Sequence, residues 1–401
     1  MQILSTVDPK VAVAATRGAN AIIQFLIVIY YGMSLSVEEF GQLSILMILI
    51  GLNYGFIDFG TNNTIVTKNL TKLTYTRLQS LNLFFAFSLG LIYFVLSKIE
   101  FNLFNFGLNF SKTLAYFLPL LIIYSLTIVP YARLHKALRL KQLALVDFFP
   151  VLSMLFTVPM FLNLGFGITT LMLSVGIQVL LRFIVLKFFY GQIIRLSFIN
   201  NIPYMTLARQ YLSNLVVYMT SKLDQLMVAS FLSAETLGFY SFLKQILNYP
   251  ISLLIAIYSQ ITFPFFSRYR RTIKRINRTL ISALMILSSI VFFYFALLVL
   301  IPPDFMQKSI EMWDFRGELA FLIMGLSFSR ILFDALSTMS IAVGFIAQQL
   351  KINICYLLLV LVCGLLLPLL GLSNYLLILI SSALLISIFI YISTFNKLKS
   401  G

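Results

Sequence analysis

The chain reads as an all-α integral membrane protein, with about twelve transmembrane helices in two six-helix lobes related by a parallel internal repeat. Three observations lead there. The composition is 60% hydrophobic and only 10% charged, with a mean hydropathy of +0.97, whereas soluble domains carry about 25% charged residues. So few polar side chains cannot clothe a soluble globule of 401 residues. Apolar runs of roughly 20 residues, the length that crosses a hydrocarbon core as helix, recur along the whole chain. Finally, the stretch Leu35 to Gly41, LSVEEFG, returns as LSAETLG at Leu232 to Gly238, an offset of 232 − 35 = 197 residues. An echo at half the chain length marks a duplicated half, as in transporters built from two related lobes.

The agreement continues beyond the motif. In each half an apolar segment with an expected mid-segment break, at Asn53 to Gly55 and at Asn248 to Pro250, leads into a basic loop. Those loops are Lys68 to Arg77 and Arg268 to Arg278. The first half gives spans at 12–33, 39–66, 79–97, 113–131, 142–163 and 168–190. The second gives 208–231, 236–265, 279–301, 318–341, 351–370 and 373–394. The lobes are therefore residues 1–200 and 201–401, divided near Ile199 to Pro203.

Charge sets the orientation. A net charge of +16 would suggest nucleic acid in a soluble protein, but here the cations sit in short loops between spans, as cytoplasmic loops do. One side carries Lys68, Lys72, Arg77, Arg133, Lys136, Arg139, Lys141, Arg195, the Arg268 to Arg278 cluster, Lys351, Lys397 and Lys399. The other is mixed: Glu38, Glu39, Lys98, Glu100, and the Asp304, Lys308, Glu311, Asp314, Arg316 and Glu318 group. Both termini are expected in the cytoplasm, and an even number of spans per half puts the lobes in the same orientation. The polar N-terminus, MQILSTVDPK, lacks a cleavable leader, so the first span is expected to be retained.

Enzyme signatures are missing: no HExxH, Walker A, GxSxG or GxGxxG occurs, and the longest outer loop, Pro302 to Gly317, is too short for a catalytic domain. The single histidine, His135, lies in a basic loop. Cys355 and Cys363 share one apolar run and imply neither a disulfide framework nor a metal site. The chain is thus read as a transporter, not an enzyme, needing no cofactor. The 39 Phe and 20 Tyr suit lipid-facing packing and interfacial belts better than a sugar platform. Prolines within spans, Pro119, Pro159, Pro250 and Pro264, are potential helix breaks.

Function is to be sought in the charges inside spans, because an ionised side chain at membrane depth costs several kcal/mol unless it meets a partner or a watery cavity. These are Arg17, Arg182, Lys222, Asp224, Lys244, Arg330 and Asp334. Lys222 and Asp224 are two residues apart, so on a helix they do not face each other. Arg330 and Asp334 are one turn apart, and a purely structural ion pair weighs evenly against a functional role. Arg17 and Arg182 lie nearer the cytoplasmic face, where snorkelling to headgroups competes with a cavity role; Lys244 has the same option on the outer side. Buried cations outnumber buried acids, which suits an anionic passenger such as a phosphate. Arg17, Lys222, Arg330, Arg182 and Lys244 are therefore the candidate anion-binding residues. Asp224 and Asp334 are candidates for coupling to a proton or sodium ion, with Asp58 and Asp147 weaker ones near span ends.

Three segments carry a family resemblance: LSVEEFGQLSILMILIGLNYGFIDFG, NLVVYMTSKLDQLMVASFLSAETLGFYSF and ITFPFFSRY. They resemble the Wzx-type O-antigen flippases, in the polysaccharide-transport branch of the multidrug/oligosaccharidyl-lipid/polysaccharide exporter superfamily. The resemblance implies a MATE-like fold of two six-helix bundles around a central cavity that opens alternately to either side. It implies transfer of an undecaprenyl-pyrophosphate-linked oligosaccharide from the cytoplasmic to the periplasmic leaflet of a bacterial inner membrane, alongside other O-antigen assembly proteins. Cavity cations of that family are thought to hold the pyrophosphate, a role that falls to Arg17 and Lys222 here, and the aspartate of KLDQLMV is Asp224. Two rivals share the hydropathy. A multidrug cation antiporter should have an acid-rich cavity, and a membrane glycan polymerase or glycosyltransferase should have a sizeable outer loop or a catalytic acid cluster.

Overall fold

A computed structural model describes residues 9–68, 70–98, 117–190, 197–198, 202–269, 272–300 and 317–400. Within these the chain forms thirteen helices. They are α1 Pro9–Ser34, α2 Val37–Asp58, α3 Thr61–Thr67, α4 Lys72–Lys98, α5 Phe117–Lys136, α6 Leu140–Asn163, α7 Thr169–Tyr190, α8 Tyr204–Phe231, α9 Ala234–Arg268, α10 Ile273–Leu300, α11 Glu318–Ala342, α12 Ile346–Leu365 and α13 Leu367–Ser400. Each overlaps one of the twelve spans read from the sequence, with α2 and α3 sharing the span 39–66. Nine of the described helices are long and apolar enough to cross a membrane by length and composition alone. The exceptions among the long ones are α1, α8 and α9. In α8 the reason is visible: Arg209, Gln210, Asn214, Lys222, Asp224 and Gln225 interrupt its apolar sequence.

Capping explains why the repeated motif starts a helix in both halves. The Ser36 amide donates to Glu39 Oε2 at 2.9 Å while the Glu39 amide donates to Ser36 Oγ at 3.2 Å, a reciprocal capping box. In the echo, Ser233 caps α9 by accepting from the Thr236 amide at 3.2 Å. Turns between helices fall where left-handed backbone is needed, at Gly165 between α6 and α7 and at Gly344 between α11 and α12.

The expected breaks are not where the apolar runs suggested. Asn53 to Gly55 lies inside continuous α2, and Asn248 to Pro250 inside continuous α9. The span 39–66 is instead interrupted at Phe59 and Gly60, with φ of 42° and 75°. A helix cannot pass two left-handed residues, and it restarts as α3. Pro159 is absorbed within α6 and Pro250 within α9, while α13 is kinked at Gly371 (φ 74°, ψ 165°). Several residues used to orient the chain lie outside the described residues: Glu100, Arg195, Arg270, Arg271, Asp304, Lys308, Glu311, Asp314 and Arg316. So do residues 1–8 and 199–201 and nearly all of the Pro302 to Gly317 loop.

The chain divides into two compact units, Met1–Leu35 with Gln42–Tyr218, and Ser36–Gly41 with Met219–Gly401. In the first, α1 packs on α6, α6 on α7, and α5 on α3, α4 and α7. Its cores gather Leu78, Leu81, Ala132 and Leu207 in one place and Leu134, Val146 and Leu186 in another. In the second, α11 is central, packed on α9 and α13, around Ile251, Phe266, Leu280, Phe333, Met339 and Ile390.

Within the second unit the two copies of the motif touch. A Cβ on Gly41 would overlap the Ala234 carbonyl oxygen, and one on Gly238 would overlap that of Val37. Both pairs obey the repeat, 238 − 41 = 197 and 234 − 37 = 197. The contact is therefore locally two-fold, and only glycine lets the helix starts approach so closely. Phe40 closes it edge-on to Phe242, with ring centroids 5.3 Å apart.

Candidate functional site

In the second unit α8, α9 and α11 bring five of the seven sequence-selected charges together. Asp224 on α8 is buried. Its Oδ2 accepts from Lys244 Nζ and from the Tyr240 hydroxyl, both on α9. Tyr240 and Lys244 are one helical turn apart and so present the same face. Lys244 also donates to the Ser221 carbonyl at 3.2 Å. The outward snorkelling open to Lys244 is not what it does; its ammonium turns inward to the carboxylate. Beside this pair, Gln225 donates to Ser241 Oγ at 3.2 Å.

Arg330 and Asp334 pair along α11 at 3.5 Å. The guanidinium also donates to the Thr220 carbonyl at 3.4 Å and lies 5.2 Å from the Phe333 ring centroid and 5.7 Å from that of Tyr356. Lys222 is different. Its side chain is half-buried, and among the described residues it has neither an ion-pair partner within 4.0 Å nor a hydrogen bond. The two-residue spacing that turns it away from Asp224 has left the acid to Lys244. Three cations thus stand against two acids, and the unmatched charge sits on Lys222.

The other two sequence-selected cations are in the first unit. The Arg182 guanidinium lies over the Tyr131 ring, 4.3 Å from its centroid. The Tyr131 hydroxyl donates to Asp147 Oδ2 at 3.0 Å, and Asn20 on α1 donates to the Asp147 carbonyl at 3.3 Å. Arg182 Nε is buried without a hydrogen-bond partner. Arg17 is exposed, three residues before Asn20 on the same helix. Asp147, ranked low because it lies near a span end, is thus the centre of this cluster. Asp58 is used locally: its carboxylate accepts from the Asn62 amide at 2.9 Å, occupying one of the free donors in the first turn of α3.

Tyr131 and Tyr240 are the residues that sequence reasoning missed. Tyr240 had a signal, its four-residue spacing from Lys244; Tyr131 had none, because its acid and its cation come from other helices. Among the described residues no group of three His, Cys, Asp or Glu could hold a metal ion.

Comparison with known proteins bears on the identity. A family model described as "Polysaccharide biosynthesis protein" matches residues 34–307. The chain belongs to this family. No curated protein matches it by sequence. Among solved structures, the lipid II flippase MurJ in an inward closed conformation is similar at 14% identity, covering 97% of this chain and 90% of that one, with a TM-score of 0.72. An outward-facing multidrug resistance MATE family transporter of the MOP superfamily is similar at 13% identity, covering 99% and 97%, with a TM-score of 0.65. A MOP superfamily transporter from Pyrococcus furiosus, described as having a binding pocket of reversed polarity that suggests a different function, is similar at 14% identity, covering 99% and 97%, with a TM-score of 0.62. The fold of this polysaccharide biosynthesis protein is that of the MOP superfamily transporters, as the sequence resemblance implied.

Proposed function

We propose that this protein is a flippase that moves undecaprenyl-pyrophosphate-linked polysaccharide repeat units, of the O-antigen type, from the cytoplasmic to the periplasmic leaflet by alternating access. The repeat-related lobes are residues 1–200 and 201–401, and the protein resides in a bacterial inner membrane with both termini inside, beside the other proteins of O-antigen assembly. The observation that carries the reading is Lys222: a half-buried ammonium on α8, inside the span read at 208–231, without an ion-pair partner among the described residues and beside two ion pairs that engage the neighbouring acids. A charge kept unpaired at that depth is costly unless a ligand of opposite charge visits it. Pyrophosphate has that charge, and family membership supplies the polysaccharide context. Arg17 and Arg182 serve as further anion contacts. Lys244 and Arg330 hold Asp224 and Asp334, which makes those two acids the coupling groups for a proton or sodium ion.

The test is translocation of a lipid-linked oligosaccharide in proteoliposomes. Lys222→Ala is expected to lower the rate by about tenfold or more, the worth of one charge-assisted contact, while Lys222→Arg retains most of it. Wild-type rates in Lys222→Ala would remove this residue from the site. Efflux of cationic drugs without lipid transfer would instead establish the antiporter reading.

A further inference from the structure

The break between α2 and α3 brings neutral amide side chains together with aromatic rings. A Cβ on Gly60 would stand 2.6 Å from the Leu207 carbonyl oxygen and 2.8 Å from Gln210 Cβ, so α8 lies directly on the break. One turn later, Asn63 Nδ2 faces Gln210 Oε1 at 3.5 Å and Asn214 Oδ1 at 3.3 Å. The Phe59 ring is stacked on Tyr211 with centroids 5.0 Å apart, and Phe56 meets the same ring edge-on at 6.2 Å. Asn214 is exposed, and Asn63, Gln210 and Tyr211 are half-buried. All of these residues belong to the first unit, and neither of the described ion pairs lies there.

Depth makes the cluster informative. By the span read from the sequence, 208–231, Asn214 is about 9 Å past its cytoplasmic end, inside the hydrocarbon zone. An exposed amide there cannot face lipid without losing its hydrogen bonds, so it faces water or a ligand. A carboxamide presents a donor and an acceptor together, the complement of a hydroxyl group, which also does both. Rings beside such groups offer apolar area to the C–H faces of a pyranose. The five residues themselves carry no charge, and the neighbouring acid, Asp58, is engaged with the Asn62 amide.

We propose that Asn63, Gln210 and Asn214, with Tyr211 and Phe59, form a subsite for the neutral sugar portion of the lipid-linked substrate. This rests on the flippase reading and concerns the glycan alone: the amides meet its hydroxyls and the rings its C–H faces.

The test compares binding of two probes to the full chain in nanodiscs, undecaprenyl pyrophosphate and the same lipid bearing a neutral disaccharide. Wild type is expected to bind the glycosylated probe more tightly. The double variant Gln210→Ala/Asn214→Ala should lose about tenfold for that probe and nothing for the bare lipid, whereas Lys222→Ala should weaken both. Asn214→Gln, which keeps the amide, should fall between wild type and the double variant and controls for folding. Equal affinity of wild type for both probes, or an equal loss for both in the double variant, overturns the subsite while leaving the flippase reading intact. Failure of wild type to bind either probe overturns both.

Discussion

In the second unit Asp224 takes the Lys244 ammonium directly, with the Tyr240 hydroxyl beside it. In the first, Asp147 takes the Tyr131 hydroxyl, and Arg182 lies over that tyrosine's ring instead of on the carboxylate. Acid, tyrosine and cation are present in both, but the tyrosine flanks the ion pair in one and stands between the charges in the other. Direct contact consumes both charges locally. Interposing a ring keeps the guanidinium near the acid while leaving its edge able to donate elsewhere, and Arg182 Nε has no partner. The second unit reaches a similar end differently, by pairing two cations and leaving a third, Lys222, unmatched.

Three substitutions would break or sharpen this contrast. The largest effect is expected from Asp224→Asn. The Lys244 and Asp224 side chains are only 13% and 9% exposed, and stranding a buried ammonium costs about 3 kcal/mol or more. Denaturant unfolding in micelles should show that loss; a change below about 1 kcal/mol would mean that Lys244 is well solvated without its acid. Arg330→Met should cost less, about 1 kcal/mol, because the Arg330 and Asp334 side chains are 24% and 33% exposed. A loss as large as that of Asp224→Asn would erase the distinction between the two pairs. The smallest effect belongs to Tyr131→Phe, which removes one neutral donor from Asp147 and should cost about 0.5–1 kcal/mol in the same measurement. No loss at all would show that Asp147 does not depend on that hydroxyl.

How far the sequence alone reached differs from element to element. The half-length echo was legible because it pairs local capping chemistry with glycine, both readable one residue at a time. That the copies pack on each other at Gly41 and Gly238 was not, since it depends on two helix starts 197 residues apart. The helix break was misplaced because Asn53 and Pro250 are poor helix formers by propensity, yet tertiary packing holds both inside helices. Phe59, which no turn preference marks, takes the left-handed backbone instead. Among the charges, the divergence of Lys222 from Asp224 followed from a two-residue spacing, but the identity of Asp224's partner did not.

The sequence by itself determined that this is a duplicated, helical, membrane-embedded chain with more cations than acids inside its spans, because those properties follow from composition and from spacings within single helices. Only the tertiary structure decided which cation is left over. Lys244 and Lys222 are both lysines within spans, and although spacing keeps Lys222 from pairing with Asp224, nothing in the sequence makes Lys244 that acid's partner. What separates them is that α9 packs its Tyr240 and Lys244 face against Asp224, while Lys222, two residues away around α8, points elsewhere. Ion pairing falls off within a few ångströms, so packing geometry assigns the charges.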